Sequence, residues 1–168
     1  MVVQAWEEKH GTIPAKSVVI MNSGWGSRYP NASKVFNTAT PTDPFTFHFP
    51  GIHPDAAAFL VTQRDIIAVG VDTPSTDYGQ SVTFGTHVIL GRHNALGLEN
   101  LANLDQLPSV GATLIIGLVK LRGGSGGPAR ILGIVGDIGT GTGSGRSAFI
   151  GAWIYGIVPL FYILVAGR

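Results

Sequence analysis

Cysteine is absent from the chain. Disulfides, thiolate metal sites and cysteine nucleophiles are therefore excluded, and any metal must be held by His, Asp and Glu, a donor set that suits zinc or manganese. Charge is also scarce, with 12% charged residues and a formal net charge of +1. There is no run of Lys or Arg, so a nucleic-acid binder that works by neutralising phosphates is excluded as well. The first residues do not read as a secretory signal, because Glu7, Glu8 and Lys9 interrupt them and no apolar stretch follows.

What remains is 168 residues, 45% of them hydrophobic, enough for one domain with a real core. Val2, Val3 and Trp6 share one helical face, and Gly11 ends that helix. No capping residue precedes it, so the sequence predicts further chain upstream. Residues 17–22 form a short apolar strand, followed by the glycine- and aromatic-rich loop 23–30. Composition alone favours a turn with a partly buried Trp25; the functional alternative makes Trp25 and Tyr29 walls of an apolar pocket. Residues 31–44 are polar and proline-punctuated, and irregular structure is expected there. His48 stands among three phenylalanines and reads as a hydrogen-bonded loop histidine rather than a catalytic one.

Pro54 and Asp55 open an alanine-rich helix, at positions where both residue types are favoured. The apolar run 66–71 then reads as a buried strand. Strand, loop, helix and strand in this order predict an α/β domain. Leu98, Leu101, Leu104 and Leu107 recur at helical spacing up to Pro108, and are expected in the core. Two further strands, 112–119 and 129–135, flank the glycine-rich loop 123–128. That loop lacks the Lys-Ser/Thr of a phosphate cradle and precedes a strand, so it is a hairpin-type turn.

Residues 69–107 hold Asp72, Asp77, His87 and Glu99, the densest group of acid–base and ligand side chains in the sequence. Asp72 falls where a strand ends, the side of an open α/β sheet at which sites form. Pro74, Gly79 and Gly85 force a loop that turns polar side chains back over that end. His87 and Glu99 are twelve residues apart. On one unbroken helix they would point about 120° apart, at roughly 100° per residue. Gly91 and Gly97 let the chain reverse and bring them together as half of a zinc site. From spacing alone, a surface histidine and a helix N-terminal glutamate remain the simpler account.

Beyond Gly136 the composition changes, and three segments are expected: a domain over 1–137, a Gly/Ser/Thr linker over 138–147 and a hydrophobic tail over 148–168. Residues 148–166 carry no charge and just meet the length of about 20 residues that spans a bilayer. Trp153 and Tyr155 near one end and Arg168 at the other fit interface anchors. Membrane association through this tail ranks first among three readings. The others are a signal cleaved behind Ser144 or Gly145 for a lipid anchor, and a non-native end. With a native tail the protein is membrane-associated; otherwise it is expected in the cytoplasm.

Several motifs, in order, resemble a known family. They are Ser23-Gly24-Trp25, His48-Phe49-Pro50-Gly51 with its alanine helix, Gly70 to Asp77, His87, Glu99-Asn100-Leu101 and Gly127-Pro128-Ala129-Arg130. Together, over roughly residues 1–135, they resemble the C-terminal part of the cyclase family, which includes the metal-dependent kynurenine formamidases (arylformamidases). The resemblance implies an α/β domain of swivelling β/β/α layout, incomplete at its N-terminus and commonly dimeric. It also implies hydrolysis of a small aryl formamide such as N-formylkynurenine, in tryptophan catabolism, by a divalent metal, zinc or manganese. His87 and Glu99 are carried over as ligands of one metal, with Asp72, Ser75 and Asp77 shaping the substrate pocket and Trp25 as its wall. The family's His-x-Gly-Thr-His-x-Asp-x-Pro-x-His segment is missing, which leaves the catalytic histidine unassigned. The resemblance therefore implies a formamidase-like parent whose activity is impaired in this chain alone. The alternative is a non-catalytic, membrane-tethered or dimerising binding module built on the same fold.

Overall fold

The computed structural model describes residues 2–136 and 148–151. Helix α1 (Val2–His10) is followed by strand β1 (Val18–Met21), a 3-10 turn at Trp25–Arg28 and the single-turn helix α2 (Ala32–Val35). Asn31 caps α2 by accepting from Lys34 N–H at 3.0 Å, so the stretch expected to be irregular contains one helical turn. Helix α3 (Pro54–Gln63) begins with Pro54 in its first turn and His53 as the cap, and leads to β2 (Ala68–Val71). Helix α4 (Gly85–Arg92), β3 (Leu96–Leu98), β4 (Thr113–Leu118), β5 (Ala129–Val135) and β6 (Ala148–Gly151) complete the order.

Two sheets result. One is parallel, in the order β1-β2-β3, with Val18 opposite Ala68 and Ala68 opposite Leu96. The other is antiparallel, in the order β4-β5-β6, and the glycine loop 123–128 joins β4 to β5 as the hairpin expected. Successive side chains of a strand point to opposite faces, and here each face has its own core. Val69 joins Leu60, Val61 and Leu90 from α3 and α4, together with Ile13 and the partly buried Val3, Trp6 and Val19. Val18 and Ala68 face the other way, towards Leu98, Leu101, Leu104, Ala112 and Ile131, with Leu114 and Ile116 of β4 against them. Helices, parallel sheet and antiparallel sheet thus stack as three layers. Burial on both faces explains why β2 is apolar at every position.

The leucine series is in the core, but it is not a helix. Leu98 ends β3, and Asn100 (φ 57°) and Asn103 (φ 59°) are left-handed, a conformation that stops a right-handed helix. Only the 3-10 turn Leu104–Gln106 remains of the expected periodicity. Instead, Asn100 N–H donates to Thr73 O at 2.8 Å and Leu101 N–H to Val71 O at 3.0 Å, stitching this segment to the end of β2. The first four residues assigned to the hydrophobic tail, Ala148–Gly151, pair with β5 and so extend the antiparallel sheet. The linker 138–147 and the rest of the tail, 152–168, lie outside the described residues. Among the described residues no helix is long and apolar enough to cross a membrane.

Candidate functional site

The chain leaves β2 through a loop that carries Asp72, Ser75, Thr76 and Asp77 above the strand's carboxyl end. Segment 47–52 runs directly beneath it. Ile52 N–H donates to Thr76 O at 2.8 Å and Gly79 N–H to Phe49 O at 3.0 Å. The approach is so close that a Cβ on Gly51 would lie 2.3 Å from the main chain of Asp77 and Tyr78, so only glycine fits there.

Asp77 is buried at the start of α4 and accepts from Thr86 N–H at 2.9 Å and His87 N–H at 3.1 Å. A carboxylate suits the unpaired N–H groups and positive end of a helix. Its Oδ2 also meets His87 Nδ1 at 2.6 Å, which fixes the imidazole with a proton on Nδ1 and leaves Nε2 for Glu99. Glu99 arrives from the end of β3, and its Oε1 lies 3.1 Å from His87 Nε2 while accepting from Thr76 N–H at 3.0 Å. The chain reverses between α4 and β3 at 93–95, where Asn94 is left-handed (φ 53°). Gly91 lies inside α4 and Gly97 inside β3, so the turn is not made by the two glycines expected to permit it. His87 therefore bridges two carboxylates, and with 44% of its side chain exposed it remains open to solvent. The hydrogen bond to Glu99 raises its pKa to about 9, against a downward pull from desolvation and with a further rise from Asp77. At neutral pH it is an imidazolium.

Asp72 does different work. Its Oδ1 accepts from Ser23 N–H at 3.0 Å and from Ser23 Oγ at 2.6 Å, and its Oδ2 from Trp25 N–H at 2.6 Å and Gly26 N–H at 3.3 Å. It ties down the turn 23–26. Trp25 donates its indole N–H to Val35 O at 2.7 Å and has the Arg28 guanidinium 3.5 Å above its ring, so that face is already covered. Ser75 Oγ accepts from Asp77 N–H at 3.2 Å and shapes the turn into the site. His48 is a loop histidine as expected, its Nδ1 2.7 Å from Thr46 O.

Two contributors escaped the sequence reading. Thr76 presents its N–H to Glu99 and its hydroxyl, 3.2 Å away, to His87 Nδ1. Asn100 takes the Tyr29 hydroxyl on its side-chain oxygen, next to Glu99. Desolvation pushes the Tyr29 phenol up to about 12, so it stays a donor. Thr76 and Asn100 both lie inside motifs that carry the family resemblance, Gly70 to Asp77 and Glu99-Asn100-Leu101, although the sequence assigned neither of them a role.

The arrangement defines a three-layer α/β protein whose acid–base groups gather at the carboxyl ends of its parallel strands. Comparisons give it a family. A family described as putative cyclase matches residues 2–78. An isatin hydrolase of Roseibium aggregatum is 38% identical over 138 residues, 80% of this chain and 51% of that protein. Among solved structures, an isatin hydrolase bound to the product analogue thioisatinate superposes with a TM-score of 0.72 at 36% identity, over 80% of this chain and 51% of that one. Isatin hydrolase A from Ralstonia solanacearum gives 0.70 at 36% identity, over 77% and 49%. The chain belongs to the cyclase family, and it spans about half the length of these relatives.

Proposed function

We propose that the chain carries half of the site of a metal-dependent amide hydrolase that cleaves the C–N bond of an aryl amide. The observation that carries this reading is His87, with Nδ1 held by Asp77 and Nε2 set against Glu99. A ligating histidine typically donates its other nitrogen to a carboxylate, and Asp77 fills that outer role. His87 Nε2 and the Glu99 carboxylate are donors of the kind zinc and manganese take. They fit as part of a set, since a catalytic zinc normally has three protein ligands. When bound, a divalent metal supplies Lewis-acid polarisation of the amide carbonyl and acidifies water. The chain's own residues orient that set. Asp77 keeps the imidazole in one tautomer, and Thr76 N–H holds Glu99 towards it. Loading requires His87 to give up its Nε2 proton, so metal affinity rises with pH up to about 9.

The likeness to isatin hydrolases supports a cyclic aryl amide as substrate, and the aryl formamide N-formylkynurenine belongs to the same bond class. Zinc and manganese affinities of the wild type, His87→Ala and Glu99→Ala test the reading, followed by hydrolysis assays on isatin and an aryl formamide. Each substitution is expected to weaken metal binding by about 100-fold or more, because outer partners alone account for roughly 10–100-fold. Identical affinities in all three proteins would sink it. A second reading, a non-catalytic binding module, is favoured by one observation: among the described residues no group of three or more His, Asp or Glu can hold a metal. Well-folded protein that binds no metal selects that reading.

A further inference from the structure

Phe84 stands where local structure would place another residue. It is the cap of α4, yet its side chain makes no bond to the helix, and Asp77 accepts from Thr86 and His87 N–H in its stead. Its backbone is left-handed (φ 49°, ψ 44°), a conformation that suits glycine or asparagine and strains a bulky residue. Burial does not offset that strain, because the residue is 54% exposed. The main chain is nonetheless held on both sides: Phe84 N–H donates to Ser81 Oγ at 3.2 Å, and its carbonyl accepts from Val88 N–H at 2.9 Å. Gly85 lies so close to α3 that a Cβ there would fall 2.8 Å from Pro54 Cγ, which fixes the direction in which α4 starts. Tyr78 and Val82 on the same loop are exposed as well. What sets Phe84 apart is its partner. Its ring meets the His87 imidazole edge-on, with centroids 6.1 Å apart and planes at 87°. His87 is itself open to solvent, so the two rings form one accessible surface. Strained residues that gain little from packing persist where a protein does its work.

We infer that Phe84 is the specificity-determining residue for the aryl group of the substrate: its exposed ring receives the planar aromatic part of an amide whose carbonyl faces His87 and Glu99. The inference rests on the hydrolase reading and adds to it the residue that selects an aromatic over an aliphatic amide. Residues 78–84 carry no charge, whereas Asp77, His87 and Glu99 gather the polar groups. The surface is thus divided into a polar end and an apolar wall, which matches a ligand with one amide and one ring. A phenyl face favours a second aromatic ring, stacked with an offset or edge-on at a centroid distance of about 4.5–7 Å. A saturated ring of the same size has no such preference. Trp25, expected from the sequence as the wall, has its ring face covered by Arg28, and Phe84 takes that place.

The test titrates the full chain, Phe84→Asn and Phe84→Tyr by NMR with formanilide and with N-cyclohexylformamide, two formamides that differ in whether the ring is aromatic. The wild type should prefer formanilide by about 3- to 10-fold, the worth of one aromatic pair. Phe84→Asn should lose that preference, and Phe84→Tyr should keep it. Asparagine tolerates the left-handed backbone, so Phe84→Asn should also unfold at a higher urea concentration than the wild type. Binding falls while stability rises, a combination that a purely structural ring does not produce. A less stable Phe84→Asn means that the ring serves the fold and overturns the proposal. Equal affinities in the wild type and Phe84→Asn overturn it too, as does a wild type that binds neither probe or both alike. Phe84 ring shifts that change with the chain's own concentration assign the ring to a contact between copies and overturn it as well. Zinc affinity separates this inference from the reading beneath it, since Phe84→Asn leaves His87 and Glu99 in place. Formanilide bound through Phe84 by a chain that takes up no metal leaves the aryl site standing while the hydrolase reading fails. Metal binding that depends on His87, with formanilide affinity indifferent to Phe84, is the reverse result.

Discussion

Asp72 and Asp77 stand five residues apart, are buried to the same degree at 2% exposure, and each accepts several main-chain N–H groups. Asp72 uses both oxygens on the turn 23–26 and so has none left for chemistry. Asp77 shares its oxygens between the first turn of α4 and the His87 ring. The same residue type, at the same strand end and depth, is a fastener in one place and a tuner of a titratable group in the other. A buried carboxylate acquires a functional role only through the side chain that shares it.

Replacing each aspartate separately breaks the comparison most sharply. Asp72→Ala strips four donors of their acceptor and is expected to cost about 3 kcal/mol in denaturant unfolding, since leaving partly buried groups unpaired costs roughly 1–3 kcal/mol. His87 in that variant should still titrate near 9 by NMR. A large fall in its pKa would show that the two regions are coupled.

Asp77→Asn should act in the opposite sense, with a smaller loss of stability and a His87 pKa shifted down towards its ordinary 6.5. The wild type adds a pH signature. The folded-state pKa of His87 is raised above its unfolded value, so its contribution to stability is fully present below pH 6.5 and is lost as pH rises through about 9. Urea midpoints of the wild type minus those of His87→Gln, followed across that window, should decline. A flat difference would mean that the two carboxylates do not hold a charged ring.

A third carboxylate, far from both, gives the smallest effect. Glu7 on α1 receives the Arg64 guanidinium on both oxygens, at 2.6 and 2.9 Å, and Ile13 N–H at 2.8 Å. Arg64 foremost, then the Ile13 N–H, lowers its pKa from 4.5 to about 2. Its contribution is present above pH 4.5 and is lost as pH falls through about 2. Trp6 fluorescence should report α1 loosening in that acid window, and Glu7→Gln should remove the dependence. The His87 titration should not change.

Sequence by itself determined the α/β order, the strands at 18–21 and 68–71 and the helices at 2–10 and 54–63; the meeting of His87 with Glu99 it only allowed, with a surface histidine as the simpler account. The elements are local matters of apolar run length, capping residues and glycines, which short windows of chain express. It misread 98–107 as a helix, because leucines three apart look helical until Asn100 and Asn103 turn left-handed and the main chain pairs with β2 instead. The division of labour between Asp72 and Asp77 was also illegible. Which donors reach a carboxylate depends on segments brought in from 23–26 and 86–87, and only the packed structure fixes those distances.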